Sequence, residues 1–359
     1  MTVVPVQIKS NNFDLLRLGL ALVVCVMHAA ELSQSPAFAP LAHVLSAAVA
    51  IKAFFVVSGF LIFMSYEQSL DVRTYFFRRG RRIYPAYCAV VIGCALLLFF
   101  DSSRSATEYF SPALLEYVVA NLLFLNAAQP SLPGVFEHGY STAVNGALWT
   151  LKIEILFYAV VPLLAHAFRR WGRLRMLALV YLGSIGYTLT MNALAARTGQ
   201  PVYAQLGRQL PGQLSYFMAG AAVYYYFPFF QRHIKKIVPA AIAAYGAATV
   251  LPIGAVAPAA LACLVLAVAL FTPPVRLFEG DYSYGIYIVH YPVVQLLLEH
   301  GGLNRGPWIF LVGAVAAAGA GAFLMWELVE RRFIRPTTPS QGRRALPDAA
   351  VSAQPAPGR

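Results

Sequence analysis

The 359-residue chain is 59% hydrophobic and only 12% charged, about half the charged share of a soluble domain. That composition excludes a soluble globular domain and indicates an integral membrane protein. The net charge of +12 does not imply a nucleic-acid partner, because the basic residues cluster between apolar runs, the positive-inside pattern that orients helices.

Eleven apolar segments follow one another: 13–33, 45–66, 84–100, 113–128, 147–168, 174–194, 210–230, 236–252, 254–272, 282–300 and 307–329. The first has no small-residue cleavage site and further runs follow it, so it reads as a retained helix. "SNNFD" places Asn12 at its N-cap. "RRGRR" (78–82) follows the second segment and "RRWGRLR" (169–175) the fifth, so both of those segments end inside. The fourth then cannot cross; it is short and holds Glu116, Asn121 and Asn126. "QRHIKK" (231–236) and "ERRFIRP" (330–336) also fall inside. The expected fold is an all-α integral membrane protein with ten transmembrane helices, one re-entrant or interfacial segment and both termini cytoplasmic. The transmembrane domain covers residues 1–336, and the Pro- and Ala-rich stretch 337–359 is an expected disordered cytoplasmic tail. Residues 313–321, "GAVAAAGAG", give the last helix a small packing face, and Ser58 and Gly59 allow close helix contact. Cys25, Cys88, Cys94 and Cys263 lie in apolar runs, and no disulfide is expected. The histidines are too dispersed for a metal site.

Ionisable residues inside such segments mark function by default. Arg17 and His28 are eleven residues apart, close to three helical turns, so they share a face and differ in depth by about 16 Å. Asp14, one turn below Arg17, either pairs with it or lies near a ligand. Entering from the outer side, Lys52 and Glu154 reach depths similar to His28, and His290 lies nearer the midplane. These spacings predict an outer layer of His28, Glu154 and Lys52 above a basic inner layer of Arg17, Arg79 and Arg82. Arginine forks suit phosphates, and a neutral histidine accepts a proton. Glu154 either pairs with Lys52 or orients His28. His290 either serves the site or bonds a neighbouring helix. Arg79 and Arg82 either orient the chain or bind the ligand. Two layers at opposite depths suit a phosphate-bearing donor with a long reactive arm, such as coenzyme A. A proton-coupled transporter using the same residues, or a membrane scaffold, would also place charges here.

The residues that carry these layers resemble the membrane acyltransferase-3 family, which O-acetylates bacterial surface polysaccharides. "FDLLRLGLALVVCVMH" (13–28) resembles its opening Arg-to-His pattern, and "FFVVSGFLI" (54–62) its second-helix signature. "RRGRRIYP" (78–85), "NGALWTLKIEILFY" (145–158) and "DYSYGIYIVHYP" (281–292) are similar to its later motifs, with Thr150 in place of the usual Ser. The resemblance implies a ten-helix bundle in the bacterial inner membrane. It implies transfer of an acyl group from acetyl-CoA or another cytoplasmic acyl-CoA to a glycan or lipid-linked sugar. It makes His28 and Glu154 catalytic candidates and Arg17, Arg79 and Arg82 donor-binding candidates. Asp14, Lys52, Tyr84, Trp149, Tyr287 and His290 are candidates for supporting the site.

Overall fold

The computed structural model describes residues 11–69, 71–251, 254–275, 277–278 and 280–334. The expected tail at 337–359 lies outside the described residues. Among the described residues the chain forms helices and no strand. Eleven helices there exceed ten residues: α1 (Phe13–Ser33), α2 (Ala47–Glu67), α3 (Val72–Leu97), α4 (Pro112–Leu122), α5 (Trp149–Trp171), α6 (Arg173–Thr198), α7 (Leu210–Tyr225), α8 (Phe227–Val250), α9 (Ala257–Phe271), α10 (Ser283–Glu299) and α11 (Pro307–Met325). One helix forms over each of the eleven apolar segments.

The charge clusters are carried differently from expectation. "RRGRR" lies within α3 and "QRHIKK" within α8, not in loops. The Asp71 carboxylate accepts from Thr74 N at 2.7 Å and starts α3 ahead of the arginines. Their long stems carry the charge to water while the backbone stays helical. Pro228 sits in the first turn of α8, where its missing N–H costs nothing, but it would break α7 if that helix ran on. At "RRWGRLR" a corner does form, at Gly172 with φ +95°.

Seven helical stretches among the described residues are long and apolar enough to cross a membrane, built on α1, α2, α3, α5, α6, α9 and α11. The other three expected spans do not meet that measure. Helices α7 and α10 have 16 and 17 residues, and α8 opens on its basic cluster. With 11 residues α4 is about 16 Å long, half a hydrocarbon core. Its Asn121 is buried and donates to the carbonyls of Tyr117 and Gln129, both at 2.9 Å.

Prolines inside the helices create specific partners. A proline has no N–H, so the carbonyl four residues earlier loses its helical donor. Pro292 frees Ile288 O, which accepts from Asn145 Nδ2 at 2.8 Å. Pro162 frees Tyr158 O, which accepts from Tyr75 OH at 3.2 Å. These bonds tie α10 to the segment before α5, and α5 to α3. Asn12 holds the N-cap position of α1, but its side chain does not cap. Its Nδ2 donates to Thr272 Oγ1 at 2.7 Å and Pro273 O at 2.8 Å, and its Oδ1 accepts from Val275 N at 2.7 Å. It therefore pins the start of α1 to the strand of chain that leads into α10.

Helices α2 and α7 cross almost backbone to backbone. A Cβ on Gly59 would lie 2.0 Å from Phe217 O, and one on Gly220 would lie 2.0 Å from Val56 O. Small residues permit this approach, and dispersion contacts then hold the pair in lipid. Rings fill the space beside the crossing, with Phe157 stacked on Phe217 at 4.0 Å. The small face of α11 is built from its buried alanines, Ala314, Ala318 and Ala322, four residues apart; Gly313 and Gly319 face open space. We expect Gly220→Ala to force α2 and α7 apart and to cost about 1–3 kcal/mol, whereas Gly246→Ala on the open face of α8 stays within about 1 kcal/mol of wild type. Thermal unfolding of the two purified variants in detergent measures the difference.

Candidate active site

A cavity of about 1400 Å³ opens among the first turns of α1 and α3 and the last turn of α2. Along α2 it runs from Gln68 to Ile51, seventeen residues or about 25 Å, most of a hydrocarbon core. Its mouth is basic: Arg17, Arg73, Arg78, Arg79, Arg81 and Arg82 line it, with Asp14 the carboxylate among them. Its far part carries Ser58, Thr150, Glu154, Tyr158 and Tyr287.

The arginines are held in different ways. Arg17 Nη1 donates to Asp281 Oδ2 at 2.7 Å, and Arg82 Nη2 donates to the same oxygen. The other oxygen, Oδ1, accepts from Ser283 Oγ at 2.5 Å. Burial alone would push the Asp281 carboxyl up. The two guanidiniums and the Ser283 hydrogen bond outweigh it and hold the group below the usual carboxylate range. Asp281 is not part of the cavity wall, so it braces Arg17 and Arg82 from behind while their cationic faces line the space. Arg79 has no such brace. Its guanidinium lies over the Tyr158 ring at 5.7 Å, and its Nε is buried without a hydrogen-bond partner. Of the two readings of Asp14, the pair with Arg17 does not form among the described residues: Asp14 is exposed on the cavity wall and Arg17 faces Asp281. A carboxylate outside the helix can meet two guanidiniums at once, which an i,i+3 neighbour cannot.

Beyond the far end of the cavity sits a pair of histidines. His28 Nδ1 and His290 Nε2 are 2.8 Å apart, and the rings lie 4° from parallel. His290 is fully buried, and its Nδ1 is 3.1 Å from Ile286 O. The Tyr291 ring stands edge-on to His28 at 5.3 Å. Tyr287 connects the two regions. It lines the cavity, its ring lies 5.9 Å from that of His290, and its hydroxyl is 2.6 Å from Thr150 Oγ1. Thr150 in turn donates to Ala147 O at 3.1 Å, so the Tyr287 hydroxyl is the donor to Thr150.

The expected outer layer does not assemble as drawn. Glu154 is hydrogen-bonded to neither His28 nor Lys52 among the described residues. Its oxygens accept from Ser58 Oγ at 2.8 Å and from Tyr158 OH at 3.1 Å, within the basic cavity. Lys52 lies over the Tyr216 ring at 5.3 Å. It is six residues from Ser58, which turns it about 120° away from the cavity face of α2. Equal depth is not equal direction. Tyr84 is exposed beside Phe124 and Trp149 opens α5; neither lines the cavity.

With this geometry in view, sequence comparison is decisive. The profile of a family described as an acyltransferase domain matches residues 10–327. The chain belongs to the acyltransferase-3 family. It is 28% identical to nodulation protein 10 of Rhizobium leguminosarum bv. viciae, over 93% of this chain and 96% of that protein. It is 26% identical to the O-acetyl transferase of Shigella phage Sf6, over 92% and 98% of the two chains. A third relative, the exopolysaccharide production protein ExoZ of Rhizobium meliloti, is 33% identical over 33% of this chain and 34% of its own. No solved structure matches the chain.

In this acyltransferase the residue that sequence reasoning passed over is Asp281. It opens the "DYSYG" stretch, directly before α10, and a carboxylate ahead of a helix reads as a plain N-terminal acid. Only the arrival of α1 and α3 makes it a shared counter-ion. Ser58 likewise reads as a packing residue in the sequence, since the carboxylate it bonds belongs to another helix. We expect Asp281→Asn to cost about 2–3 kcal/mol of stability, less than the 3–5 of a fully buried broken pair because Arg82 is 30% exposed. Denaturant unfolding in detergent checks this, and an unchanged midpoint would show that the bridge contributes nothing.

Proposed function

We propose that this acyltransferase moves an acyl group, acetyl first among the candidates, from cytoplasmic acyl-CoA to a hydroxyl of an extracytoplasmic or lipid-linked glycan. One observation carries the reading: a basic cavity about 25 Å deep has Tyr287 on its wall, and the Tyr287 ring lies against His290, the buried member of the histidine pair. The arginine-rich mouth suits the phosphates of coenzyme A, and its depth suits the pantetheine arm. Arg79 lines the wall without a carboxylate partner among the described residues, so its guanidinium has no anion already in place for a phosphate to compete with. The names of the phage and exopolysaccharide relatives favour an O-acetyl transfer to a polysaccharide. The basic helix ends favour ten spans with both termini cytoplasmic in a bacterial inner membrane, α10 and α7 crossing inside the bundle where short helices are covered by neighbours.

In this mechanism the acceptor hydroxyl approaches from the side opposite the arginines. His28 takes its proton as the oxygen attacks the thioester carbonyl carbon. The carbon–oxygen bond forms, the carbon–sulfur bond breaks, and the coenzyme A thiolate leaves with the proton that His28 held. Arg17, Arg79 and Arg82 bind the donor. Glu154 acts on the passage wall, where it orients Ser58 and Tyr158, and not as the partner of His28. Lys52, over the Tyr216 ring and off the cavity wall, is given no step in this scheme.

Transfer of labelled acetyl from acetyl-CoA to surface glycan, in membranes carrying wild type or His28→Ala, tests the reading. The variant is expected to lose at least about 10²-fold in rate, the lower range for a positioned general base. Undiminished transfer by His28→Ala would refute it.

A further inference from the structure

The hydrogen-bond chain through the histidine pair determines which nitrogen of His28 is free to act as a base. It begins at the backbone of α10. His290 Nδ1 is 3.1 Å from Ile286 O, and a carbonyl oxygen only accepts. His290 Nδ1 therefore carries hydrogen. A neutral imidazole has one N–H, so His290 Nε2 is left with its lone pair. That lone pair points at His28 Nδ1, 2.8 Å away. Two ring nitrogens at this distance need one proton between them, and His290 Nε2 has none to offer. His28 Nδ1 must supply it, which leaves His28 Nε2 unprotonated.

We propose that His290 is a positioning residue that holds His28 in the Nδ1–H tautomer, so that Nε2 is the catalytic base. The proposal rests on the acyl-transfer reading for the word catalytic, but the tautomer itself does not depend on it. Two further features support it. His28 Nε2 makes no hydrogen bond among the described residues, and on the half-buried His28 side chain it is not sealed off, so it is reachable. The ring also has no room to flip freely. It is held coplanar with the His290 ring by the shared hydrogen bond and met edge-on by Tyr291, whose own ring is seated over Gly146, where an added Cβ would lie 2.7 Å from the Tyr291 hydroxyl.

The arrangement also prepares for the charged state. When Nε2 takes the acceptor proton, His28 becomes an imidazolium whose Nδ1–H already points at the His290 lone pair. A neutral hydrogen bond becomes a charge-assisted one without any movement. His290 thus plays toward His28 the part that a carboxylate plays toward the histidine of a hydrolase triad, but with no charge of its own. A neutral partner is the less costly choice at a fully buried position, where a carboxylate would need its own counter-ion.

Two measurements on the full-length protein in detergent test this. Nitrogen-15 histidine spectra, with signals assigned through His28→Ala and His290→Ala, report which ring nitrogen of each histidine carries hydrogen. The expected result is hydrogen on Nδ1 of both, and a wild-type His28 protonated on Nε2 would overturn the proposal whatever its activity. In kinetics, His290→Ala is expected to lower kcat by about 10- to 100-fold, the scale for removing a partner that orients an imidazole, with KM for acetyl-CoA within about twofold. His290→Gln keeps an acceptor oxygen near the same place and is expected to recover most of that loss. Equal rates for His290→Ala and wild type would overturn the proposal, as would a Gln variant no better than Ala with wild-type folding. If His290→Ala does not fold, the wild-type spectrum decides alone. An Nε2–H His28 in a protein that His28→Ala inactivates would sink this proposal and leave the acyl-transfer reading standing.

Discussion

One carboxylate oxygen receives two guanidiniums from two separate helices. Asp281, at the head of α10, bonds Arg17 of α1 and Arg82 of α3. Charges in an apolar medium cannot be left single, so this contact dictates where the three helix ends stand. It also turns two arginines into a fixed surface. Their remaining donors are presented to the cavity from a rigid mount, in place of two long side chains that would have to be ordered by a ligand.

Helices α1 and α10 run side by side and are joined at both levels of the molecule. Arg17 and Asp281 meet at one level, and His28 and His290 at the other. Eleven residues separate the first pair members along α1 and nine along α10, so the two joints lie some 14–16 Å apart on parallel tracks. Asn12 adds a third tie by binding the chain that leads into α10. A shift of one helix against the other would disturb the arginine mount and the histidine pair together. The ligand-holding and proton-handling ends are therefore mechanically one unit. Helices α2 and α5 supply the passage between them, with Ser58, Glu154 and Thr150 as its polar wall.

The proline and glycine positions show how the bundle tolerates such a polar interior. Carbonyls released by Pro162 and Pro292 are taken by Tyr75 and Asn145, so no backbone acceptor there is abandoned in an apolar setting. The Gly59–Gly220 crossing draws α2 and α7 together on the side of α2 away from the cavity. Close packing on one face of α2 leaves its other face free to line open space.

Much of this was set by composition and order alone. The membrane class, the helical segments, the short α4 and the Arg17-to-His28 face follow from local hydrophobicity and from the 3.6-residue turn, which are properties of one stretch of chain at a time. The basic layer was legible for the same reason: Arg79 and Arg82 are neighbours in sequence, and Arg17 opens a helix that starts at the same level. Partners were not. Depth along the membrane normal can be counted from sequence, but rotation about a helix axis against its neighbours cannot. Glu154 and Lys52 matched His28 in depth and turned elsewhere, Glu154 to Ser58 and Tyr158, Lys52 to Tyr216. Asp281 and His290 lie more than 250 residues from Arg17 and His28, and only the docking of α10 against α1 brings these pairs together. Sequence thus determined which chemical groups the apolar helices carry and at what height along each helix. Tertiary structure decided which of them touch, because a hydrogen bond needs direction as well as depth.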